Sequence, residues 1–301
     1  MNFELQKVDT LIQLAIHEDI GPGDITTESI FLPHLMGEGE FIAKEDGVIA
    51  GLPVVEYFFS KIGKSVLLRS FISEGTRVKK GEVFATINGS VHTLLSGERI
   101  ALNFLQRLSG IATFTAQFVE KVKPLKVAIM DTRKTVPGWR YLEKYAVAMG
   151  GGMNHRMGLY DQVLVKDNHL DFMKKELSAE ELARTSVIEK TVAKVRKKIG
   201  GRMAIEVETR TLTEVEDAIN AGVDIILFDN MSLPKIKEAV SLVKNRKYDK
   251  GMHQPFTEAS GNITLDNVKS IAETGVDRIS IGALTHSAKA LDISLKISRQ
   301  S

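Results

Sequence analysis

The strongest constraint on the fold is a regular alternation of short apolar runs and helical segments after residue 126. The apolar runs have the length of strands, and the segments between them repeat apolar residues at three- and four-residue spacing, as amphipathic helices do. Strands separated by helices pair in parallel through crossover connections, and six such units in series predict an α/β barrel. The predicted strands are 127–130, 163–165, 204–208, 225–229, 256–260 and 278–282, and the predicted helices include 179–199, 213–221, 233–243 and 265–274.

Polar residues or glycine stand where each predicted strand ends. In α/β barrels the carboxyl ends of the strands carry the catalytic residues, so these positions are the first candidates for a site. One polar residue after a strand is ordinary in any loop, but here the pattern recurs along the whole series. In chain order the positions are Asp131, Arg133, Lys134, Lys166, Glu208, Asp229, Ser260, Gly261 and Gly282.

Four cations are concentrated around the first two strand ends. Arg133 and Lys134 follow the first strand and Lys166 follows the second. Arg156 lies in the excursion between them, behind a helical pattern that three glycines close at 150–152. Arginine matches carboxylates and phosphates with a planar pair of donors, and lysine adds a compact point charge. These cations could point into one space, which predicts a small polyanionic ligand.

Three motifs in this stretch resemble the quinolinate phosphoribosyltransferase family, the decarboxylating enzymes of NAD synthesis. They are DTRKT at 131–135, GGGMNHR at 150–156 and KDNH at 166–169, and HEDIGPGDITTE at 17–28 also resembles the family's N-terminal signature. The resemblance implies an α/β fold with an incomplete TIM-like barrel of seven strands and an N-terminal α+β sheet domain. It also implies Mg²⁺, quinolinate and 5-phosphoribosyl-1-pyrophosphate (PRPP) as inputs, with nicotinate mononucleotide, pyrophosphate and carbon dioxide as products.

The resemblance further implies which residues bind the two carboxylates of quinolinate. Arg133, His155 and Arg156 match the family's substrate-binding positions. Arg99 matches the arginine that the family's dimer sends into the neighbouring active site, so the resemblance implies a homodimer in which each site is incomplete without the partner subunit.

The remaining roles concern the sugar donor. Lys134 and Lys166 are expected to be catalytic and to bind the carboxylate and phosphoribosyl ends of the substrates. Glu208 and Asp229 are expected to be catalytic and to hold Mg²⁺ directly or through its waters, because carboxylate oxygens suit this ion. Asn262 departs from the family pattern, in which many relatives have glycine. Backbone N–H groups near helix starts suit phosphate, and the expected phosphate-binding residues are Ser260, Gly261, Asn262, Gly282 and Ala283.

The expected domains are an N-terminal helix at 1–24 packing near the barrel, an α+β sheet domain at 25–110 serving as lid and dimerisation domain, and the catalytic barrel at 111–301. Residues 3–17 read as a surface helix, 37–89 contain short β-like runs separated by glycine, and 97–119 read as a helix that carries Arg99. The segment 73–89 resembles the turn of biotinyl and lipoyl carrier domains. The exposed lysine in a hairpin that such a carrier needs is not recognisable here.

The composition favours a soluble cytoplasmic enzyme. The formal net charge of +2 gives no general attraction to nucleic acid. The absence of cysteine excludes disulfides, zinc–thiolate sites and a cysteine nucleophile. No run approaches the roughly 18 consecutive apolar residues of a membrane span, and the acidic, amphipathic start is unlike a signal peptide.

Other interpretations compete with these. Nicotinate phosphoribosyltransferase performs the same transfer without losing carbon dioxide, although the density of cations favours a substrate with two carboxylates. A paralogue with another anionic substrate is a second possibility, and a carrier or partner-binding module at 25–105 is a third.

Each candidate residue also has a structural interpretation. Arg99 would be a solvated charge on a core helix, and Glu208 and Asp229 would pair with Lys166 or Arg133. Ser260 and Gly261 would cap a helix. His169 is expected to brace the Lys166 loop, and His286 is expected to be structural.

Overall fold

The computed structural model describes residues 3–63, 65–248 and 253–299. The chain forms two compact units. The first unit is built from residues within 1–117, 134–152 and 283–301, and the second from 118–133 and 153–282.

The elements are numbered here in chain order. To residue 122 they are a 3-10 turn (Leu5–Lys7), α1 (Asp9–Asp19), α2 (Ile25–Ile30), β1 (Met36–Ala43), β2 (Gly47–Val48), α3 (Leu52–Ile62), β3 (Leu67–Ser70), β4 (Arg77–Val78), β5 (Val83–Ser90) and α4 (Val91–Val122). They continue as β6 (Ala128–Met130), α5 (Arg140–Met149), β7 (Val163–Val165), α6 (Asp167–Glu176), α7 (Ala179–Leu182), α8 (Val187–Ile199), β8 (Ile205–Thr209), α9 (Leu212–Asn220), β9 (Ile225–Asp229), α10 (Leu233–Asn245), β10 (Phe256–Ser260), α11 (Val268–Ala272), β11 (Arg278–Ser280), α12 (Ala283–His286) and β12 (Ile293–Arg299).

The first unit is organised around an antiparallel sheet with the strand order β12-β1-β5-β3. Burial largely alternates along β1 and β5, as expected of strands with one face on a core. Phe41, Phe84 and Ile87 are fully buried on these strands, and Phe58 and Phe59 are buried on α3. The sheet and the helices of this unit therefore form an α+β fold.

Two helices in the first unit differ from the sequence-based expectation. Helix α3 lies in a region that was predicted to be mainly β, and α4 begins at Val91 rather than at residue 97. The start of α3 depends on tertiary contacts, because the Glu74 carboxylate accepts hydrogen bonds from the N–H groups of Gly51 at 2.7 Å and Leu52 at 2.9 Å. Gly51 has a φ of 113°, which favours glycine.

The second unit contains a six-stranded parallel sheet with the order β6-β11-β10-β9-β8-β7. The first strand of the series thus lies beside the last, which is the order that a closing β/α barrel requires. A single parallel bridge between Met130 and Met153 adds a seventh segment next to β6. Among the described residues no ladder joins β6 to β7, so the barrel is incomplete, and the predicted fold class is confirmed.

The predicted strands 163–165, 225–229 and 256–260 match the observed bounds, and the other three differ by one or two residues at their ends. The single helix predicted at 179–199 is wrong. Ser178 and Ser186 each start a separate helix with a capping box, because each serine oxygen accepts an N–H from the glutamate three residues later. The predicted helix at 3–17 is a 3-10 turn followed by α1, which continues to Asp19.

The compact units divide the chain differently from the predicted ranges 1–24, 25–110 and 111–301. Helices α5 and α12 and strand β12 belong to the first unit. Strand β12 pairs with β1 from Gly37 opposite Arg299 to Ala43 opposite Ile293. No helix among the described residues is long and apolar enough to cross a membrane.

Candidate active site at the strand ends of the second unit

The inner face of the parallel sheet carries charged side chains. The strand register aligns Glu208, Leu227, Glu258 and Arg278 in one row across β8, β9, β10 and β11. Residues in one row of a sheet project to the same face. Glu208 and Asp229 also share a face, because Asp229 lies two residues after Leu227 on β9.

Asp131 anchors the segment that carries His155 and Arg156. Its side chain is fully buried immediately after β6. The carboxylate accepts hydrogen bonds from Asn154 Nδ2 at 2.7 Å and from the backbone N–H of His155 at 2.8 Å. Hydrogen bonds to a buried carboxylate are stronger than neutral ones, so this contact fixes the NHR segment beside the first strand.

The imidazole of His155 has protein partners at both ring nitrogens. Nδ1 accepts the backbone N–H of Arg156 at 2.7 Å, and Nε2 lies 3.0 Å from Glu206 Oε2 and 3.6 Å from Glu258 Oε1. A ring nitrogen that accepts a hydrogen bond carries no proton, so the proton of His155 lies on Nε2, facing the two carboxylates. The ring is held by the protein in this geometry, and its predicted role in substrate binding stays a prediction.

Glu258 is a carboxyl group of this cluster whose pKa is raised. Burial, and next the charge of Glu206, raise the pKa of Glu258 to about 7, although His155, Ser280 and Arg278 oppose the rise. Ligand atoms of His155, Glu206 and Glu258 lie within 4.8 Å of one another, and such groups are able to hold a metal ion. The proton on Nε2 of His155 and the raised pKa of Glu258 indicate that protons offset the negative charges of Glu206 and Glu258.

Arg156 is nearly buried, and its surroundings hold it in place. Its Nη1 donates to the backbone oxygen of Gln162 at 3.1 Å, and Gln162 Nε2 donates to Glu206 Oε2 at 2.7 Å. Burial, and next the charge of Arg133, lower the pKa of Arg156, while Glu206 and Asp161 oppose this. The two guanidinium groups are therefore close enough to repel each other, which favours an anion beside them.

Lys166 and Glu208 join the ends of β7 and β8. Lys166 Nζ lies 3.1 Å from one oxygen of Glu208 and 3.4 Å from the other. Lys166 also precedes α6 as its N-cap residue, and its backbone N–H donates to His169 Nδ1 at 2.9 Å. His169 therefore braces the Lys166 loop as predicted.

Arg210 follows β8 and contacts residues that follow β7 and end β9. It pairs with Asp167 at the start of α6, and its Nε lies 3.9 Å from Asp229 Oδ2. Although burial opposes the shift, Asp167, and then the charges of Asp229 and Glu208, raise the pKa of Arg210. Asp229 thus has a cationic neighbour other than Lys166 or Arg133, the two partners that the sequence suggested.

The loop after β10 has a strained backbone. Gly261 has a φ of 99° and Asn262 a φ of 53°. A Cβ atom at Gly261 would lie 2.2 Å from Asn230 Oδ1, and Asn262 Nδ2 donates to that same oxygen at 3.0 Å. Asparagine tolerates the left-handed region better than most residues other than glycine, which suits Asn262 at this φ.

Comparison with known proteins identifies the family. Residues 111–296 match the family model described as "Quinolinate phosphoribosyl transferase, C-terminal domain", and residues 24–109 match the corresponding "N-terminal domain". The chain belongs to the quinolinate phosphoribosyltransferase family. The two matches meet between residues 109 and 111, whereas the compact units include later segments in the first unit.

Individual relatives agree with this family. A "Probable nicotinate-nucleotide pyrophosphorylase [carboxylating]" of Bacillus subtilis is 43% identical over 281 residues, covering 93% of this chain and 90% of the relative. "Quinolinate phosphoribosyltransferase [decarboxylating] 1b" of Nicotiana tabacum is 40% identical over 303 residues, covering 95% of this chain and 81% of the relative. The crystal structure of NadC from Streptococcus pyogenes superposes with a TM-score of 0.90 at 37% identity and covers 100% of both chains.

The family's predicted site residues fall in both compact units. Three lie in the first unit: Arg99 is exposed on α4, Lys134 is exposed in the loop before α5, and Ala283 begins α12. The second unit holds Arg133, His155, Arg156, Lys166, Glu208, Asp229, Ser260, Gly261, Asn262 and Gly282. Within this unit, contacts join Lys166 to Glu208, and the charge of Arg133 reaches Arg156.

Sequence reasoning missed several residues of this candidate site. Glu206 and Glu258 hold the His155 ring, Arg210 joins two strand ends, and Asn230 supports the Gly261 turn. A carboxylate inside a predicted strand was the available signal for the two glutamates. Such a residue belongs on an inner, polar face of a barrel because it is costly in an apolar core.

Proposed function

We propose that the protein transfers the phosphoribosyl group of PRPP to quinolinate and releases the 2-carboxylate as carbon dioxide, giving nicotinate mononucleotide and pyrophosphate in de novo NAD synthesis. The observation that carries the proposal is the nearly buried Arg156 beside Arg133. Two neighbouring guanidinium groups attract anions, and a small diacid offers one carboxylate to each. Family membership supports the same reaction.

The reaction needs no nucleophilic side chain. The pyridine nitrogen of quinolinate attacks C1 of the ribose, and pyrophosphate departs with the bonding electrons. Loss of the 2-carboxylate then leaves an electron pair at the ring carbon next to a cationic nitrogen, and this carbon takes up a proton. Fixed cations that are already oriented stabilise such developing charge without reorganisation.

The roles follow the family pattern. Arg133, Arg156 and His155 bind the carboxylates of quinolinate, and Lys134 and Lys166 serve its carboxylate and the phosphoribosyl end. The backbone of the late strand ends binds phosphate, at Ser260, Gly261, Asn262, Gly282 and Ala283. The Lys166–Glu208 contact of 3.1 Å supports this arrangement, because a bound anionic substrate can replace the glutamate as the partner of Lys166.

Glu208 and Asp229 are the residues that would hold Mg²⁺. Both are carboxylates that face the same side of the sheet at neighbouring strand ends, and oxygen donors of this kind fit the ion. Bound there, Mg²⁺ would neutralise the oxygens of the pyrophosphate leaving group. Removal of divalent cations with a chelator should then abolish product formation, and added Mg²⁺ should restore it.

We further propose a homodimer in which Arg99 of one protomer serves the site of the other, in a cytoplasmic enzyme. Arg99 is exposed on α4, which supports this assignment. Mixing Arg99→Ala protein with Lys166→Met protein tests it, because heterodimers would regain one complete site. No recovery of activity after subunit exchange would refute the shared site.

The proposed reaction is tested by supplying protein, Mg²⁺ and PRPP with either quinolinate or nicotinate and measuring mononucleotide and carbon dioxide. Product from quinolinate together with carbon dioxide is expected. Product only from nicotinate would show the rival transferase, and a lipoyl or biotinyl adduct in the mass spectrum would instead indicate a carrier module at 25–105.

Two substitutions test the site itself. Charge-assisted hydrogen bonds contribute about 1.5–3 kcal/mol each, so Arg133→Ala and Arg156→Ala should each lower kcat/KM by about ten- to a hundred-fold or more while the fold survives. Arg184→Ala is the matched control, because Arg184 is exposed between α7 and α8. Near-normal kcat/KM in either test variant would contradict the assignment.

A further inference from the structure

A partly buried hydrogen-bond network in the first unit contacts the backbone of Lys134. Arg107 on α4 is its centre. Its Nη2 donates to Glu143 Oε1 at 2.6 Å and to the backbone oxygen of Thr285 at 2.5 Å, and its Nη1 donates to the backbone oxygen of Ala288 at 3.2 Å. One guanidinium thus joins α4, α5 and the α12 segment.

The two other members of the network reach the loop that follows DTRKT. The hydroxyl of Thr285, which is fully buried, donates to the backbone oxygen of Lys134 at 2.7 Å. The second carboxylate oxygen of Glu143, also fully buried, accepts the backbone N–H of Val136 at 3.1 Å. The backbone is therefore held at Lys134 and again two residues later, and both attachments lead back to Arg107.

We propose that Thr285, Arg107 and Glu143 are positioning residues that fix the backbone of Lys134, so that its exposed ammonium group is held ready for substrate. This inference rests on the proposed function, because only that function gives Lys134 a substrate role. An ordered attachment point lowers the entropy lost when a lysine engages its ligand.

The chemistry of the network favours positioning over stability alone. An ion pair with one fully buried partner, such as Arg107 with Glu143, is a poor source of stability, because the desolvation of its charges offsets their attraction. Arg107 and Glu143 instead form hydrogen bonds with backbone atoms of two segments, and these segments carry the predicted substrate residues Lys134 and Ala283. Thr285 lies in the same short helix as Ala283, so the network also sets the placement of these two segments relative to each other.

The test is a double-mutant cycle between Thr285 and Lys134. Thr285→Val removes the hydroxyl and keeps the shape, and it should lower kcat/KM for PRPP about ten-fold. Thr285→Ser keeps the hydroxyl and should restore most of that loss. In a Lys134→Met background Thr285→Val should have no further effect, because Thr285 acts through Lys134.

A purely structural role gives a different pattern. In that case Thr285→Val would lower activity by the same factor in both backgrounds, and this result would overturn the inference. Full activity of Thr285→Val in the native background, where Lys134→Met is impaired, would overturn it as well. Glu143→Gln is the second variant, because an amide has one acceptor oxygen and cannot keep the hydrogen bonds from both Arg107 and Val136. It should show the same dependence on Lys134.

Two controls separate the possible failures. Thr274→Val removes a comparable hydroxyl bond to a backbone oxygen, that of Ile271 at 2.6 Å, and should leave kcat/KM unchanged. Failure of the native protein to form mononucleotide from quinolinate would refute the proposed function. Normal activity of Lys134→Met in a protein that does form product would refute only the role of Lys134 and the positioning inference with it.

Discussion

Replacement of Glu258 by glutamine should change how stability depends on pH. The Glu258 side chain is fully buried and faces Glu206 and His155. Glutamine has the shape of the protonated acid and cannot ionise. The variant therefore removes the free-energy cost of ionising this carboxyl group beside Glu206 and His155.

The sign follows from the direction of the pKa shift. Burial, and next Glu206, raise the pKa of Glu258 from 4.5 to about 7, so the folded protein holds this proton more tightly than the unfolded chain does. The protonated carboxyl group therefore contributes to the free energy of unfolding. This contribution is fully present below the pKa of the unfolded chain and is lost as pH rises through 7. Each pKa unit corresponds to about 1.4 kcal/mol. As pH rises, the free energy of unfolding of the native protein should therefore fall by ~3 kcal/mol relative to that of the glutamine variant.

The assay is urea unfolding of native protein and Glu258→Gln from about pH 4.5 to about pH 8, followed by circular dichroism. The stability difference should shift by ~3 kcal/mol in favour of glutamine across this range. Glu273→Gln, at an exposed position after α11, is the control and should show no such trend. A difference that is constant with pH, or that shifts towards the native protein, would refute the assignment of the raised pKa to Glu258.

Three further predictions concern stability. Tyr145→Phe removes the hydroxyl that donates to Glu74 Oε2 at 2.7 Å and should cost about 1–3 kcal/mol in urea unfolding; an unchanged midpoint would contradict the contact. Gly110→Ala should lower the free energy of unfolding by more than about 2 kcal/mol, because the added Cβ would lie 2.0 Å from the backbone oxygen of Lys289. An unchanged melting temperature would contradict this contact. Ser186→Ala removes a helix cap and should cost about 1 kcal/mol, whereas no loss would show that α8 does not need it.

The strand ends were the predictable part of the candidate site. Glu208 and Asp229 end apolar runs, and this local pattern alone places them at the same edge of a parallel sheet. Glu206 and Glu258 were not predictable in the same way. Their contact with His155 depends on the register between strands that lie far apart in sequence. The hydrophobic pattern along a single strand does not determine that register.

The helices show the same limit. The break between α7 and α8 had a local signal in Ser186 and Glu189, since a serine followed three residues later by glutamate is a capping box. Arg107 and Glu143 had none, because each is an ordinary charge on an amphipathic helix until α4 and α5 meet. The local sequence thus indicates where helices and strands begin and end. Contacts between residues far apart in the chain can be identified only from the folded structure.

The pairing of β12 with β1 has a consequence for synthesis of the chain. Strand β1 leaves the ribosome early. Its partner β12, at residues 293–299, emerges only after the entire second unit has been translated. Until then β1 exposes an unpaired edge to other nascent chains. Completion of the first sheet therefore waits until the second unit has been translated, and a chain that stops before residue 293 would keep that edge open.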